Sequence, residues 1–282
     1  MSNDNFKKAA RTIIKAGTLP FPINDTLVQI LKELLSEDEL TFIDAFKRKT
    51  SQTLEELMKS SNMSEDMILN FVNALAKKGV LFNQPNSKGI MIFRLMPVVM
   101  VGIFEYLFMR KISYSEKELK IANLFEVYFQ EISDFIQSNY DTITPIFKKM
   151  RPYDRTLSIL NKNIQGDEIE IKINTSLDIP DEQIIPTQKV EEIIKKFEEI
   201  AVGHCFCRHH RDLLGKACTQ TKLRENCFTF GKSAKFVAEQ GYGRLVSKEE
   251  ALRLMKLSEK DGLIHKAFHP NSDITREETS IC

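Results

Sequence analysis

Gly79-Val80-Leu81-Phe82-Asn83-Gln84-Pro85-Asn86-Ser87-Lys88-Gly89-Ile90-Met91-Ile92-Phe93-Arg94-Leu95 decides how the first half of this chain is read. Gly79 is placed to stop a helix, residues 80–82 and 90–95 read as two strands, and the Gln84–Gly89 segment has the Pro, Asn and Gly of a hairpin loop. Immediately upstream, residues 64–78 predict a helix in which Ser64 offers an N-cap hydroxyl and Glu65 and Asp66 offer acidic charge to the helix dipole. Residues 53–60 predict another, separated from it by the turn Ser61-Asn62-Met63. Farther upstream, Leu27, Ile30, Leu31 and Leu34, then Leu40, Ile43 and Phe46, recur at helical spacing. They predict two short helices between residues 23 and 48, with Asn24 or Asp25 as the first cap.

Helix, helix, helix and hairpin is the order of a winged helix. Residues 27–95 resemble the winged-helix domains of archaeal and bacterial transcription regulators, chiefly through Thr53-Leu54-Glu55-Glu56-Leu57 and Ala74-Leu75-Ala76-Lys77-Lys78-Gly79-Val80-Leu81. The resemblance implies that the helix at 64–78 would enter a major groove while the wing touched phosphate. That helix opens on Glu65 and Asp66, exposes Asn70, Asn73, Lys77 and Lys78, and has no Arg for a bidentate guanine contact. The wing adds only Lys88. DNA is therefore not the favoured partner, and a protein-contact or packing scaffold is the expectation.

Beyond the hairpin, residues 96–109 are apolar enough for a buried helix after Pro97. Residues 115–138 repeat Leu119, Ala122, Leu124, Phe125, Tyr128, Phe129, Ile132, Phe135 and Ile136 at the spacing of a long amphipathic helix, suited to core packing or to a homodimer interface. The texture then changes. Pro145, Pro152, Pro180 and Pro186 punctuate the chain, residues 169–173 alternate Ile-Glu-Ile-Lys-Ile like a half-buried strand, and a boundary is expected near residues 140–152. A helix from Thr187 through Ile194 and Phe197 to Ile200 is expected to lead into the cysteines. The expected fold class is α+β, mostly α with small β elements. It comprises a winged-helix-like domain at 20–110, a linking helix at 111–140, and an α+β cysteine-ligated cluster domain at 141–282.

Composition supports two folded parts in 282 residues: 42% apolar, 28% charged, nineteen Phe and no Trp. Domains usually hold about 100–150 residues, and nothing here has the low complexity of disorder. Forty basic against thirty-nine acidic residues leave a formal charge of +1, so no whole-protein field draws the chain to nucleic acid or anionic lipid. Lys7 and Lys8 are not followed by the apolar run of a signal peptide. The greasiest stretch, residues 90–109, is broken by Arg94, Pro97 and Glu105, which argues against a membrane span. A soluble, cytoplasmic protein is expected.

All five cysteines (Cys205, Cys207, Cys218, Cys227, Cys282) and all five histidines (His204, His209, His210, His265, His269) follow Gly203. An odd number of cysteines without an export signal disfavours a disulfide framework and favours metal or redox chemistry. Cys205, Cys207, Cys218 and Cys227 form C-x-C-x10-C-x8-C, four soft ligands within 23 residues, suited to zinc or to an iron–sulfur cluster. Structural zinc usually shows paired C-x2–4-C knuckles, which this spacing lacks. Arg208, Arg211, Lys216, Lys222 and Arg224 form a basic collar that would lower thiol pKa values, and backbone amides near Gly203, Gly215 and Gly231 could approach the sulfurs.

The run from about residue 186 to 282 resembles a family of archaeal and anaerobe ferredoxin-like proteins that bind [4Fe–4S] clusters. The matching pieces are Ile200-Ala201-Val202, Cys205-Phe206-Cys207-Arg208, Leu213-Leu214-Gly215-Lys216-Ala217-Cys218, Cys227-Phe228-Thr229-Phe230-Gly231, Gly241-Tyr242-Gly243-Arg244, Ser247-Lys248-Glu249-Glu250-Ala251 and Gly262-Leu263-Ile264-His265. The resemblance implies an Ile/Ala-rich helix before the first cysteine pair and the four cysteines as cluster ligands. It departs at Thr221 and Leu223, where the family often has proline. It also implies a further cysteine-rich run beyond Ser280-Ile281-Cys282, with Cys282 a remnant of it.

His209 and His210 are expected to line the site or face solvent. His265 is expected to end a helix as a cation, and His269, before Pro270, has no assigned role. Residues 231–240 and 247–260 read as helices, the latter with a Ser247–Glu250 capping box, joined by a tight turn at Gly241-Tyr242-Gly243-Arg244. The functional expectation is an electron-transfer or redox-sensing iron–sulfur protein with a redox partner protein. The alternatives are a redox- or metal-responsive winged-helix regulator and a structural zinc module in an interaction protein.

Overall fold

The computed structural model describes residues 3–17, 19, 21–111, 113–149, 154–157, 190–268 and 280–281. It begins with α1 (Asn3–Ile14), which turns Phe6, Ala9, Ala10 and Ile13 inward. This helix was not anticipated, because Lys7, Lys8 and Arg11 interrupt its short apolar stripe. The two helices expected next are α2 (Asp25–Leu34) and α3 (Glu37–Asp44). Asn24 caps α2 by accepting from Leu27 N at 2.9 Å, and Ser36 and Glu39 close a capping box on α3. A short strand, β1 (Ser51–Gln52), precedes α4 (Leu54–Ser61), whose Thr53 and Glu56 form a second capping box.

Then come α5 (Glu65–Lys77) and the hairpin β2 (Leu81–Pro85) and β3 (Met91–Leu95). Ser64 sits at the N-cap of α5 but makes no side-chain cap bond, so the expected hydroxyl cap is not used. Gly79 does end the helix, at φ +72°, and a Cβ there would stand 2.7 Å from Tyr106 Cβ. The three strands form an antiparallel sheet in the order β1-β3-β2.

The buried helix expected at 96–109 is shorter, α6 (Ile103–Met109). Residues 96–102 form a loop before it, because the Glu105 carboxylate draws in the Met100 and Gly102 amides at 3.0 and 2.8 Å and Met100 and Val101 take positive φ. The long amphipathic helix is α7 (Glu116–Ser138), followed by α8 (Tyr140–Lys149), which carries Pro145 inside it. The expected boundary at 140–152 therefore falls largely on helix. The strand expected at 169–173, with Pro152, Pro180 and Pro186, lies outside the described residues.

The last part contains β4 (Asp154–Leu157), α9 (Val190–Lys196), β5 (Ile200–His204), α10 (Phe206–Leu213), β6 (Glu225–Phe230) and α11 (Lys232–Glu239). It ends with β7 (Gly243–Leu245), α12 (Lys248–Lys260), β8 (His265–Phe268) and β9 (Ser280–Ile281). The six strands form one antiparallel sheet, β4-β8-β9-β6-β5-β7. A mixed α+β architecture with two antiparallel sheets results, and among the described residues no helix is long and apolar enough to cross a membrane.

The helix expected to run to Ile200 ends at Lys196 as α9, and the final approach to the cysteines is the strand β5. The physical reason is that β5 is buried on both faces. Ala201 joins the core that runs from Phe6 to Tyr242, while Ile200 and Val202 join a second core with Val190, Ile193, Phe228, Leu254 and Met255. Apolar positions on both faces erase the period that separates a strand from a buried helix. The turn at 241–244 is likewise only half a turn: Gly241 has φ +72°, but Gly243 and Arg244 pair with Gly203 and Val202. Ser247 accepts from Glu250 N at 3.1 Å, yet the box does not close, since the Glu250 carboxylate is held by Arg244 at 2.8 Å.

Candidate metal centre

β5 delivers the chain to Cys205, which serves as the N-cap of α10, and Cys207 lies in the first turn of that helix. Cys205 N donates to Arg224 O at 2.7 Å and Cys205 O accepts from His209 N at 2.9 Å, so both main-chain groups of the first cysteine are fixed. Cys227 enters from β6, where it pairs with Gly203. Glycine is required at 203 because a Cβ would stand 2.8 Å from Met109 Cε and 3.0 Å from Tyr242 O. Cys218 arrives from the loop between α10 and β6.

Cys205 and Cys207 Sγ are 3.1 Å apart. Hydrogen bonds from the Cys207 and Cys227 thiols hold the Cys205 thiol far below its usual pKa, helped by the Arg208 amide and charge and opposed by burial. Cys218 is also lowered, first by the Arg208 guanidinium and then by the Gln220 and Thr221 amides. Burial works against the charge of Arg208, but the Cys205 thiolate, the bond to Cys218 and the Cys207 thiolate raise its pKa. The structure thus brings Cys205, Cys207 and Cys218 around one arginine at a helix N-terminus, with Cys227 joined through its bond to Cys205, an environment that stabilises negative sulfur. Cys205 and Cys227 are buried, while Cys218 is half-buried and Cys207 exposed. Cys282 lies outside the described residues.

The collar is more selective than its composition suggests. Arg208 lies against the Cys218 thiol and its charge acts on Cys205. Arg224 forms a bidentate pair with Asp212 at 2.6 and 3.1 Å, and Arg211 and Lys216 both reach Glu126 in α7. The amides that approach the Cys205 and Cys218 sulfurs come from Arg208, Gln220 and Thr221, while the Gly215 and Gly231 amides donate to Asp212 O and Glu199 O. Asn226 was not singled out from the sequence. With its amide oxygen turned toward Arg208 it accepts from Nη1 at 2.8 Å and donates to Arg224 O at 3.2 Å, which aims the guanidinium. Its only signal in the sequence is its position beside Cys227. In the loop between Cys218 and Cys227, Thr221 supplies the ordering. Its hydroxyl donates to the Asp261 carboxylate and accepts from Leu223 N, and its carbonyl receives Arg224 Nη1 at 2.8 Å.

The histidines depart from expectation. His209 and His210 do not face solvent; they anchor α10 to the helical half through Phe108 O at 2.6 Å and Ala122 O at 2.9 Å. Burial lowers the pKa of both, and of His204. His265 is not a helix-ending cation. It is a buried strand residue bonded to Met255 O at 3.1 Å, with its pKa lowered by burial. His269 lies outside the described residues.

Among the described residues no group of three or more His, Cys, Asp or Glu side chains is placed to hold a metal ion. In residue type the donor set is that of a multi-sulfur centre: Cys205 bonded to both Cys207 and Cys227, Cys218 on the arginine beside Cys205, and one cation to offset charge. Comparison with protein-family models, curated proteins and solved structures finds no match to this chain.

Proposed function

We propose that this chain is an iron–sulfur protein in which Cys205, Cys207, Cys218 and Cys227 hold a [4Fe–4S] cluster used for electron transfer or redox sensing with a partner protein. The observation that carries the reading is the gathering of Cys205, Cys207 and Cys218 about Arg208 at the α10 N-terminus, with Cys227 bonded to Cys205. When bound, the cluster supplies one-electron chemistry. The chain's own residues divide the remaining work. Cys205 and Cys227 close the inner side against the core, Arg208 offsets negative charge, and Cys207 and Cys218 place the outer edge at the surface, where a redox partner can approach.

Anaerobic reconstitution with iron and sulfide followed by visible absorption and elemental analysis tests the reading. About four iron and four labile sulfide per chain support it. Zinc bound without labile sulfide overturns it.

A redox-responsive winged-helix regulator is the second reading, carried by the physical joining of the two halves. Residues 25–95 have the helix order and hairpin of a winged helix, Gln84 in β2 donates to Glu239 in α11 at 2.8 Å, and Tyr242 bonds the end of α5. Strain at the cysteines would reach the helix and wing through these contacts. The exposed Glu65 and Asp66 at the start of α5 oppose phosphate approach. Duplex binding with a steep salt slope that changes on oxidation would select this reading.

A further inference from the structure

A cavity of about 370 Å³ lies between the helical half and the six-stranded sheet, within the ~300–1,000 Å³ typical of small-molecule sites. Most of its wall is apolar, with Phe82, Met96, Val98, Val99 and Phe228 among the lining residues. One cation breaks that surface. Arg94 packs its guanidinium over the Phe82 ring at 5.1 Å and has no carboxylate partner among the described residues.

The loop that forms one wall is conformationally costly. Met100 and Val101 have φ of 73° and 64°, a region a β-branched residue rarely enters, and such strain concentrates at ligand sites. Glu105 holds that loop. Its two oxygens are occupied by the Met100 and Gly102 amides, and burial raises its pKa against the opposing effect of those bonds.

We infer that this cavity binds an anionic amphiphile, a medium-chain carboxylate whose head meets Arg94 and whose hydrocarbon body fills the apolar wall. A carboxylate pairs with the guanidinium through charge-assisted hydrogen bonds. A pure hydrocarbon would leave the guanidinium unmatched, and a cation would be repelled by it. The cavity borders the cysteine centre, since Cys227 and Phe206 contribute to its wall.

Titration calorimetry of the full chain with decanoate, and with decanol as the neutral comparison, tests the inference. Saturable 1:1 binding of decanoate at least tenfold tighter than decanol is expected. Arg94→Gln should weaken decanoate tenfold or more and leave decanol unchanged. Val98→Trp should abolish both. No 1:1 binding of decanoate, equal affinity for decanol, or unchanged decanoate affinity in Arg94→Gln overturns the inference even if Val98→Trp fails to fold.

Discussion

The Tyr242 hydroxyl, in the turn after α11, donates to the carbonyl of Ala76 near the end of α5, 166 positions earlier in the chain. Arg110 lies over the same ring at 4.4 Å and donates to Lys77 O, so one tyrosine and one arginine hold the C-terminal sheet to the helix before the hairpin. Tyr242→Phe removes the hydroxyl but keeps the ring. The expected loss is about 1–2 kcal/mol, read as a lower urea midpoint. Tyr242→Ala also empties a fully buried space and should cost about 3–5 kcal/mol.

Arg208 is the common neighbour of the cysteines, so Arg208→Gln tests whether it activates them. Cys218 owes its lowered pKa first to this guanidinium. In the metal-free chain, iodoacetamide should label Cys218 several-fold more slowly at pH 7 in the variant, followed by peptide mass spectrometry. An unchanged rate would separate the arginine from thiol activation.

Acidification should destabilise the fold through its buried imidazoles. Burial lowers the pKa of His209, His210 and His265 in the folded chain, whereas in the unfolded chain each takes up a proton near pH 6.5. Below about pH 6.5 the unfolded chain therefore binds more protons. The stability these residues contribute is present above that pH and is lost as pH falls toward their depressed folded values. The urea midpoint should drop between pH 7 and pH 5, and His265→Gln should flatten part of that dependence.

Close backbone approach at the central strands makes Gly243 sensitive. A Cβ there would stand 2.4 Å from Val202 O, in the strand that ends at Cys205. Gly243→Ala should cost about 2–3 kcal/mol by thermal or urea unfolding, as expected for forced overpacking. It should also reduce iron incorporation, because the displaced strand carries the first cysteine pair. Gly89 in the hairpin loop meets nothing within 4 Å, but its φ of +76° makes it a weaker control for steric cost alone.

Glu39 is 5% exposed, bonds Ser36 N at 2.8 Å and receives Lys78 Nζ at 2.7 Å on both oxygens. Glu39→Ala removes a cap bond and an ion pair that ties α3 to the end of α5. About 2 kcal/mol of stability should be lost, and Glu39→Gln, which can keep the cap bond, should lose less.

The elements legible in the chain were those whose signals are local. Asn24, Thr53 with Glu56, and Ser115 sit where helices begin, and Gly79 sits where one ends, because capping is decided within four residues. The same locality explains the failures. Ile200-Ala201-Val202 carries no strand period because each face meets a different core, and Ser247 forms only half a box because Arg244 takes its intended partner.

The sequence by itself determined which residues are the candidates for the site: four cysteines segregated with the histidines at one end of the chain, beside Arg208. Only the tertiary structure decided what each neighbour does. It gave Arg208 to the sulfurs, Arg224 to Asp212, and Arg211 and Lys216 to Glu126, and it buried His209 and His210 against carbonyls of the helical half. Residue type and spacing state which groups can ligate or ionise. Which partner each one meets depends on distances across the fold, set by how α6 and α7 pack against α10 and by the antiparallel register of β5 with β6.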